Sequence, residues 1–568
     1  MLRIPDDRLD LQGWVKEVHD ECMESSEERS MVYTRASQYF YQGTYSVEGA
    51  IYNKIKPFVE RLSGYLMQPT DVRFSIVFDS TEPESVLDRA QVVSEKLTSD
   101  YRQTDSDITF AEATMYCLIH GCYLLKHMPS ELGFKVAPVH PQNFGVLSET
   151  TLDLDEQEAF CHVSYPTISR LRARLEEIDH PDRDEIMARI MEARPTERAE
   201  DEPTYFHQMV VGGQPTAGAG VPSAAGIVNV FPVPTPWRPQ RKLLPTVKFS
   251  ELWIKDPDRD GDYTTIQFVY GADPIIIEGD NHRRNLSRVP GHNPFVKIQA
   301  QPTPGYFWGR SFIADVQMLQ DVLNKRLRDI KVMWDRNTNA PQVLSGFTSV
   351  TEDMYFKIIN EGGFINDPNP NAKAQKLTEA PPEHYLEELS FLFKLFDEAA
   401  GFSPIMGGQG EPGVRAGVHA QTLVRTSSPR LIDQAARIER QLATSGYLSL
   451  SIMQAMDPTI YSTGEGTEFT LKQLPDNFQV QVDSHSASPA FAEDNRQVAI
   501  ALARAGAIDA EDLIHMLHPP GAELLLARLR QRKKEQAKAA QEAKKEELMR
   551  EVLKMPDKKP APGGRKQG

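Results

Sequence analysis

The chain is predicted to be mainly α-helical, with a mixed α/β amino-terminal half and a small α/β insert held between two long helices. Three observations carry this. Between Gly305 and Met456, three helical patterns of apolar residues are separated by one compact insert and one glycine-rich loop. Upstream, helical spacing alternates with strand-like runs such as FSELWIK and TTIQFVYG. Finally, 568 residues with 40% hydrophobic content are enough for more than one core, about three or four domains by length alone.

Taken in order, residues 8–41 read as helix, with Trp14, Val18 and Cys22 on one face. Ile51, Ile55, Phe58, Leu62 and Leu66 recur at helical spacing before a switch to a strand from Val72 to Phe78. Two more helices are predicted over 84–103 and 106–125. From Phe134 to Ser164 the pattern alternates as strands, and TISRLRARLEEI and DRDEIMARIMEA read as two short helices. Val211 to Gly226 is a low-complexity run with no means of packing a core, expected to be a surface excursion. FSELWIK and TTIQFVYG then flank DPDRDGD, and PIIIEGD follows.

The first long helix begins at GYFWGRSFIADVQ. Phe312, Val316, Leu319, Leu323, Leu327, Ile330 and Trp334 recur at steps of four and three, one face of an α-helix. Ser311 is a good N-cap, and Asp315 complements the positive end of the helix dipole. Ser311 to Trp334 would span roughly 36 Å at ~1.5 Å per residue. The opposite face, with Asp321, Asn324, Lys325, Arg328 and Asp329, is expected to stay wet. A second helix, EHYLEELSFLFKLFDEAAGF, places Tyr385, Leu389, Leu392, Phe393 and Phe396 on one stripe, with Gly401 as its stop. The insert between them, Asn337 to Pro382, has strand-like pieces (QVL, GGFI), a short helix around Glu352 to Ile359, and prolines at both exits.

SPIMGGQGEPGVRAG carries five glycines and two prolines between Ser403 and Gly417, so it cannot be a regular element. The third helical run covers 418–456. Pro429 inside it removes a backbone donor, and a bend is expected near Thr426 to Ser428. FTLKQLPDNFQVQVD is the next β segment and a candidate to return to the same sheet as FSELWIK. Phe491 to Leu529 is helical and alanine-rich, with breaks at Gly506, Pro519 and Pro520. Arg530 to Lys554 reads as a Lys/Glu-rich helix, and 555–568 as a basic, disordered tail.

This order resembles the portal, or head-to-tail connector, proteins of tailed bacteriophages. The resemblance lies in the Gly-x-Ser helix start (Gly309, Ser311), the small inserted module, the second helix ending near GFSP, the glycine-rich loop and the long kinked helix. GAIYNKIKPFVERLSGYLMQPTDVRFSIVFDS and ITFAEATMYCLIHGCYLLKHM extend it, so that it covers Tyr39 to about Ala527. The resemblance implies an elongated subunit of a closed ring, usually of twelve copies, at one capsid vertex with double-stranded DNA passing through a central channel.

By that resemblance, 1–304 is the wing, 305–336 the first stem helix, 337–382 the clip and 383–402 the second stem helix. Residues 403–417 become the tunnel loop, 418–456 the kinked tunnel helix, 457–490 a returning wing strand, and 491–554 the crown and carboxyl-terminal helix. Stem residues would be Ser311, Leu319, Leu323, Leu327 and Trp334 with Leu389 and Phe393. Met406, Gly407, Gly408 and Gln409, then Gly410, Glu411, Arg415 and Gly417, would line the channel. His419, Arg425, Pro429 and Arg430 would follow on the tunnel helix. Phe347, Tyr355, Phe356 and Phe364 of the clip would dock terminase and tail adaptor. The major capsid protein and scaffold are further implied partners, and the virion, assembled in the bacterial cytoplasm, the implied location.

Composition bounds the rest. A net charge of −17 argues against tight nonspecific grip on nucleic acid, which needs phosphate neutralisation, but suits a conduit through which DNA slides. Arg415, Arg425, Arg430, Arg437 and Arg440 stand against only Asp433 and Glu439. Salt bridging is the simpler reading, and transient phosphate contact the sharper one. No run of about eighteen uncharged apolar residues occurs, so no membrane span is expected. Cys22, Cys117, Cys122 and Cys161 show no disulfide framework and are expected as free thiols.

No enzyme chemistry is expected, and no cofactor. Asp256, Asp258, Asp260 and Gly261 imitate a calcium loop, but Gln267 stands where the bidentate Glu belongs, so a hairpin turn is the better reading. GGQGEPG lacks the lysine of a phosphate-binding loop, Val414 and Arg415 following Gly413. Cys117, His120 and Cys122 do not match zinc spacing and read as core. His384 and His419 have no nucleophile or carboxylate partner at a recognisable spacing. The alternatives kept are a packaging enzyme, terminase or nuclease, and another virion component such as a capsid or tail-tube protein.

Overall fold

The computed structural model describes residues 2–5, 8–45, 51–69, 72–77, 84–130, 133–177, 182–192, 246–255, 263–271, 273–277, 293–338, 342–346, parts of 348–376, 384–400, 429–456, 459–462, 468–474, 478–482, 499–508 and a few positions beyond. The chain divides into two compact units, Met1–Ala490 and Phe491–Gly568. In the second, a short helix over 499–504 closes at Gly506, whose φ is +70°.

The first unit is mixed α/β. It opens with α1 (Arg8–Met23) and α2 (Ser26–Gln42), two helices where the pattern predicted one. At the break, Ser25 is engaged from both sides: its hydroxyl donates to Glu149, and its carbonyl accepts from Arg29 Nε at 3.3 Å. The break lets α1 bury Leu11, Val15, Val18 and Cys22 on one sheet face while α2 packs elsewhere.

Next come α3 (Ile55–Leu66), β1 (Phe74–Val77), α4 (Glu84–Gln103), α5 (Ser106–His120), β2 (Tyr123–Ser130) and β3 (Gly133–Val139). Ile51 lies outside α3, and α5 ends five residues short of its predicted end. Gly121 at φ +93° turns the chain, and residues 123–126 pair instead with the strand β9 (Phe295–Ile298). Cross-strand pairing outweighs the local helical pattern there.

A five-stranded antiparallel sheet runs in chain order through β4 (Phe144–Val146), β5 (Ala159–Ser164), β6 (Phe249–Lys255), β7 (Tyr263–Val269) and β8 (Ile275–Ile276). It is covered on both faces, so β7 is buried at every position and reads as a continuous rather than alternating run. Leu252, Ile254 and Phe268 face α1; Phe160, Trp253 and Tyr263 face the three-stranded sheet β3-β2-β9. The predicted short helices α6 (Ile168–Glu177) and α7 (Arg183–Glu192) pack with Phe249 and Val269. All four cysteines are buried free thiols.

The last elements are α8 (Phe312–Thr338), β10 (Gln342–Ser345), β11 (Lys373–Lys376), α9 (Tyr385–Ala399), α10 (Pro429–Met456), β12 (Ile460–Ser462), β13 (Glu468–Thr470) and β14 (Gln479–Val482). β14 does not return to the sheet of FSELWIK: it pairs antiparallel with β1, Phe74 opposite Val482. This pair lies on α10, where a Cβ at Gly446 would come within 2.5 Å of the Phe74 ring. The low-complexity run 211–226, the DPDRDGD turn, the bend at 426–428 and the basic tail lie outside the described residues.

Candidate functional site

The two long helices α8 and α9 form the candidate site, and their position is set by the turn that precedes them. Gly309 has φ +69°, and a Cβ there would sit 2.2 Å from Gln299 Nε2 and 2.8 Å from Gln301 O. Upstream, the Arg29 guanidinium lies 3.7 Å over the Trp308 ring, whose Nε1 donates to Glu149 Oε1 at 2.6 Å. Ser311 Oγ accepts from the Ile313 N–H at 3.1 Å, the N-cap its position predicts. The same hydroxyl donates to Ile119 O, and Gly121 leaves room for the backbone of Arg310 and Ser311. Thus α8 starts against the end of α5.

Further along, past its second turn, α8 turns two amides inward. Gln320 accepts from Lys54 N–H at 3.2 Å and donates to Tyr52 O at 2.7 Å. Asn324 accepts from Tyr52 N–H at 3.2 Å and donates to Gly43 O at 2.8 Å. The expectation that Asn324 stays wet is therefore wrong: it is 2% exposed, because its amide satisfies buried backbone groups of an extended segment. Lys54 continues to α9, with its ammonium 2.8 Å from both Phe393 O and Asp397 and 4.9 Å over the Phe393 and Phe396 rings. Phe58 stacks on Phe312 and meets Phe396 edge-on. Arg326 reaches Glu388 at 2.9 Å, opposite in direction to the Lys54–Asp397 tie, so α8 and α9 run antiparallel.

The chain matches no protein-family model, and no curated protein matches it.

The predicted stem residues divide by depth. Ser311 and Leu323 are buried, whereas Leu319, Leu327, Leu389 and Phe393 are half-buried. Trp334, on the same apolar stripe, is 63% exposed, and Phe391 of α9 is 62% exposed. No residue from Lys325 to Thr338 is buried. On the outward face Met318, Val322 and Val332 add exposed apolar surface. Beyond Thr338, β10 pairs with β11, Gln342 opposite Lys376. The predicted clip residues Phe347, Tyr355, Phe356 and Phe364 lie outside the described residues, as do Met406, Gly407, Gly408, Gln409, Gly410, Glu411, Arg415, Gly417, His419 and Arg425.

Pro429 and Arg430 open the described part of α10. That helix is anchored around its middle. Gln441 exchanges two 3.0 Å hydrogen bonds with the backbone of Gln299, and Ser445 Oγ lies 2.8 Å from both Tyr101 Oη and His127 Nε2. Gln299 also donates to Phe307 O at 3.1 Å, so one residue positions both α10 and the turn at Gly309. Arg437 pairs with Asp433 at 3.0 Å, the salt-bridge reading of that charge. His384 does have a carboxylate: Glu387 lies 3.1 Å away on the first turn of α9, an exposed pair.

Among the described residues no group of three or more His, Cys, Asp or Glu is placed to hold a metal, and no helix is long and apolar enough to cross a membrane. Sequence reasoning missed Gln320, Asn324, Lys54 and Gly121. The available signal was the i, i+4 amide pair beside the apolar stripe, which matches the spacing of one helix face.

Proposed function

We propose that this protein is the subunit of a portal-type ring that conducts double-stranded DNA through a capsid vertex. The observation that supports it is the distal half of the α8–α9 hairpin. An apolar stripe continues through the half-buried Leu327 and Ile330 to Trp334, 63% exposed, and α9 carries Phe391, 62% exposed. Such a stripe gains about 2 kcal/mol or more for each large aromatic it buries against a neighbour. Neighbouring copies in head-to-tail rotation are the occupants that close a ring. In that ring α8 and α9 form the channel wall, the clip over 337–382 takes terminase and tail adaptor, and the glycines of 407–413 let the tunnel loop change shape as DNA passes.

Electron microscopy with native mass is the test. Rings of about twelve copies with a duplex-wide hole are expected. The double variant W334E/F391E should fall to monomers that still unfold cooperatively, since both side chains are exposed within one chain, at a midpoint below that of the ring by the assembly's share of stability. A clean monomer with nuclease or ATPase activity in the wild type would overturn the reading. In a packaging assay, deletion of Gly407 to Gly413 should leave assembly intact and impair packaging or DNA retention; normal packaging and retention would sink the gating role.

A further inference from the structure

Beneath the first turn of α8 two imidazoles meet edge-on in an aromatic box, His120 buried and His140 half-buried with its Nε2 shut off from solvent. The rings of His120, at the end of α5, and His140, in the turn before β4, have centroids 4.9 Å apart. Tyr33 of α2 lies 5.2 Å from His120 and 6.0 Å from His140. Tyr116 of α5 stacks on His120 at 6.2 Å, and Tyr123 of β2 stands 6.1 Å from His140. The titratable groups facing the pair from α2, α5 and β2 are thus three phenols. Ser37 Oγ is 2.9 Å from His120 Nε2. His140 Nδ1 accepts from the Gln142 N–H at 3.1 Å, which leaves its ring proton on Nε2.

The pair sits directly under the start of the long helix. The Leu118 and Ile119 carbonyls, just before His120, accept from Ser311 Oγ. A Cβ on Gly121, just after it, would lie 2.9 Å from Arg310 C. Any shift of His120 is therefore passed to the N-cap of α8. We propose that His120 and His140 form an acid-sensitive latch, which holds α8 in its seat while both rings are neutral and releases it when they take up protons. Two cations 4.9 Å apart in this box would repel, and a proton on His140 Nδ1 would oppose the Gln142 N–H. The latch lies within one chain and stands whether or not copies assemble into a ring.

The direction follows from burial. Desolvation, and then His140, hold His120 well below the ordinary imidazole value; desolvation holds His140 down to about 4. A released ring returns toward 6.5. The latch is at full strength above that value and weakens as pH falls from 6.5 toward 4. By pH 5.5, His140 alone makes opening about tenfold easier.

Hydrogen–deuterium exchange of the full chain at pH 7.5 and 5.5, corrected for intrinsic rates, tests this on peptides covering Phe312 to Asn324. Protection there should fall about tenfold or more at pH 5.5. His140→Asn, which keeps an acceptor for Gln142, and His120→Gln should each blunt that fall. His127→Asn, whose parent ring serves α10 through Ser445, should keep it in full. Equal protection at the two pH values in the wild type, or an undiminished acid response in both latch variants, overturns the proposal. Should the variants not fold, exchange at the imidazole C2 positions of the wild type decides: a midpoint for His140 well below 6.5 supports the latch, and an ordinary one removes it.

Discussion

Replacing Lys126 by methionine is expected to lower the unfolding free energy by about 3–5 kcal/mol, the usual cost of leaving a buried charge without its partner. The stranded group is Glu251 on β6, only 4% exposed. Lys126 bonds it directly from β2, His162 Nδ1 stands at 3.3 Å on β5, and Arg174 of α6 reaches to 3.9 Å. Burial by itself would push the Glu251 carboxyl up, but Lys126 and then His162 more than offset this and hold it well below the ordinary carboxylate range. With Lys126 in place, burial keeps His162 below its ordinary value despite Glu251, so the lysine carries the compensating charge at neutral pH. Since the folded carboxyl is depressed, the pair's contribution is full above the unfolded carboxylate range and is lost as pH falls through the folded value. Urea denaturation of K126M and of K126M/E251L checks the argument. The double variant should recover most of the loss, because removing both charges also removes the desolvation cost. A K126M cost within about 1 kcal/mol of zero would show the pair to be solvated.

The second large effect is expected at Gly309→Ala, at about 2–5 kcal/mol. A left-handed φ costs an L-residue roughly 1–2 kcal/mol, and forcing a methyl into a packed site adds typically 1–3 kcal/mol. Here the methyl meets the Gln299 amide and the Gln301 carbonyl, and Gln299 cannot swing away without giving up its bond to Phe307 O. Gly305→Ala is the control. Gly305 has φ +71° but nothing within 4 Å of its added Cβ, so only the backbone share, about 1 kcal/mol, is expected. Equal losses at the two glycines, measured by the same denaturation, would show that packing at Gly309 contributes nothing.

Both sites bear on how far the candidate stem could be read in advance. The apolar stripe from Phe312 to Trp334 was legible because helical spacing is local, and the observed helix runs only four residues further. Ser311 as N-cap was legible for the same reason. The inward turn of Gln320 and Asn324 was not. Their partners, Lys54, Tyr52 and Gly43, lie 266 to 281 residues away, and an amide has the same polarity whether it meets water or buried backbone. Nor was the exposure of Trp334, which follows from where the covering chain ends rather than from its own stripe.

By itself, then, the sequence determined where the chain is regular: α3, α4, α6 to α9, β6 and β7 all follow from period and composition, properties of neighbouring residues. The tertiary structure alone decided which elements meet. It broke residues 8–41 at Ser25, stopped α5 at His120 so that Tyr123 to Lys126 could pair with β9, and sent β14 to β1. It also gathered His120 and His140 under the N-cap of α8 and three basic side chains around Glu251. Those outcomes depend on contacts between distant segments, whose combined burial and hydrogen bonding exceed any local preference.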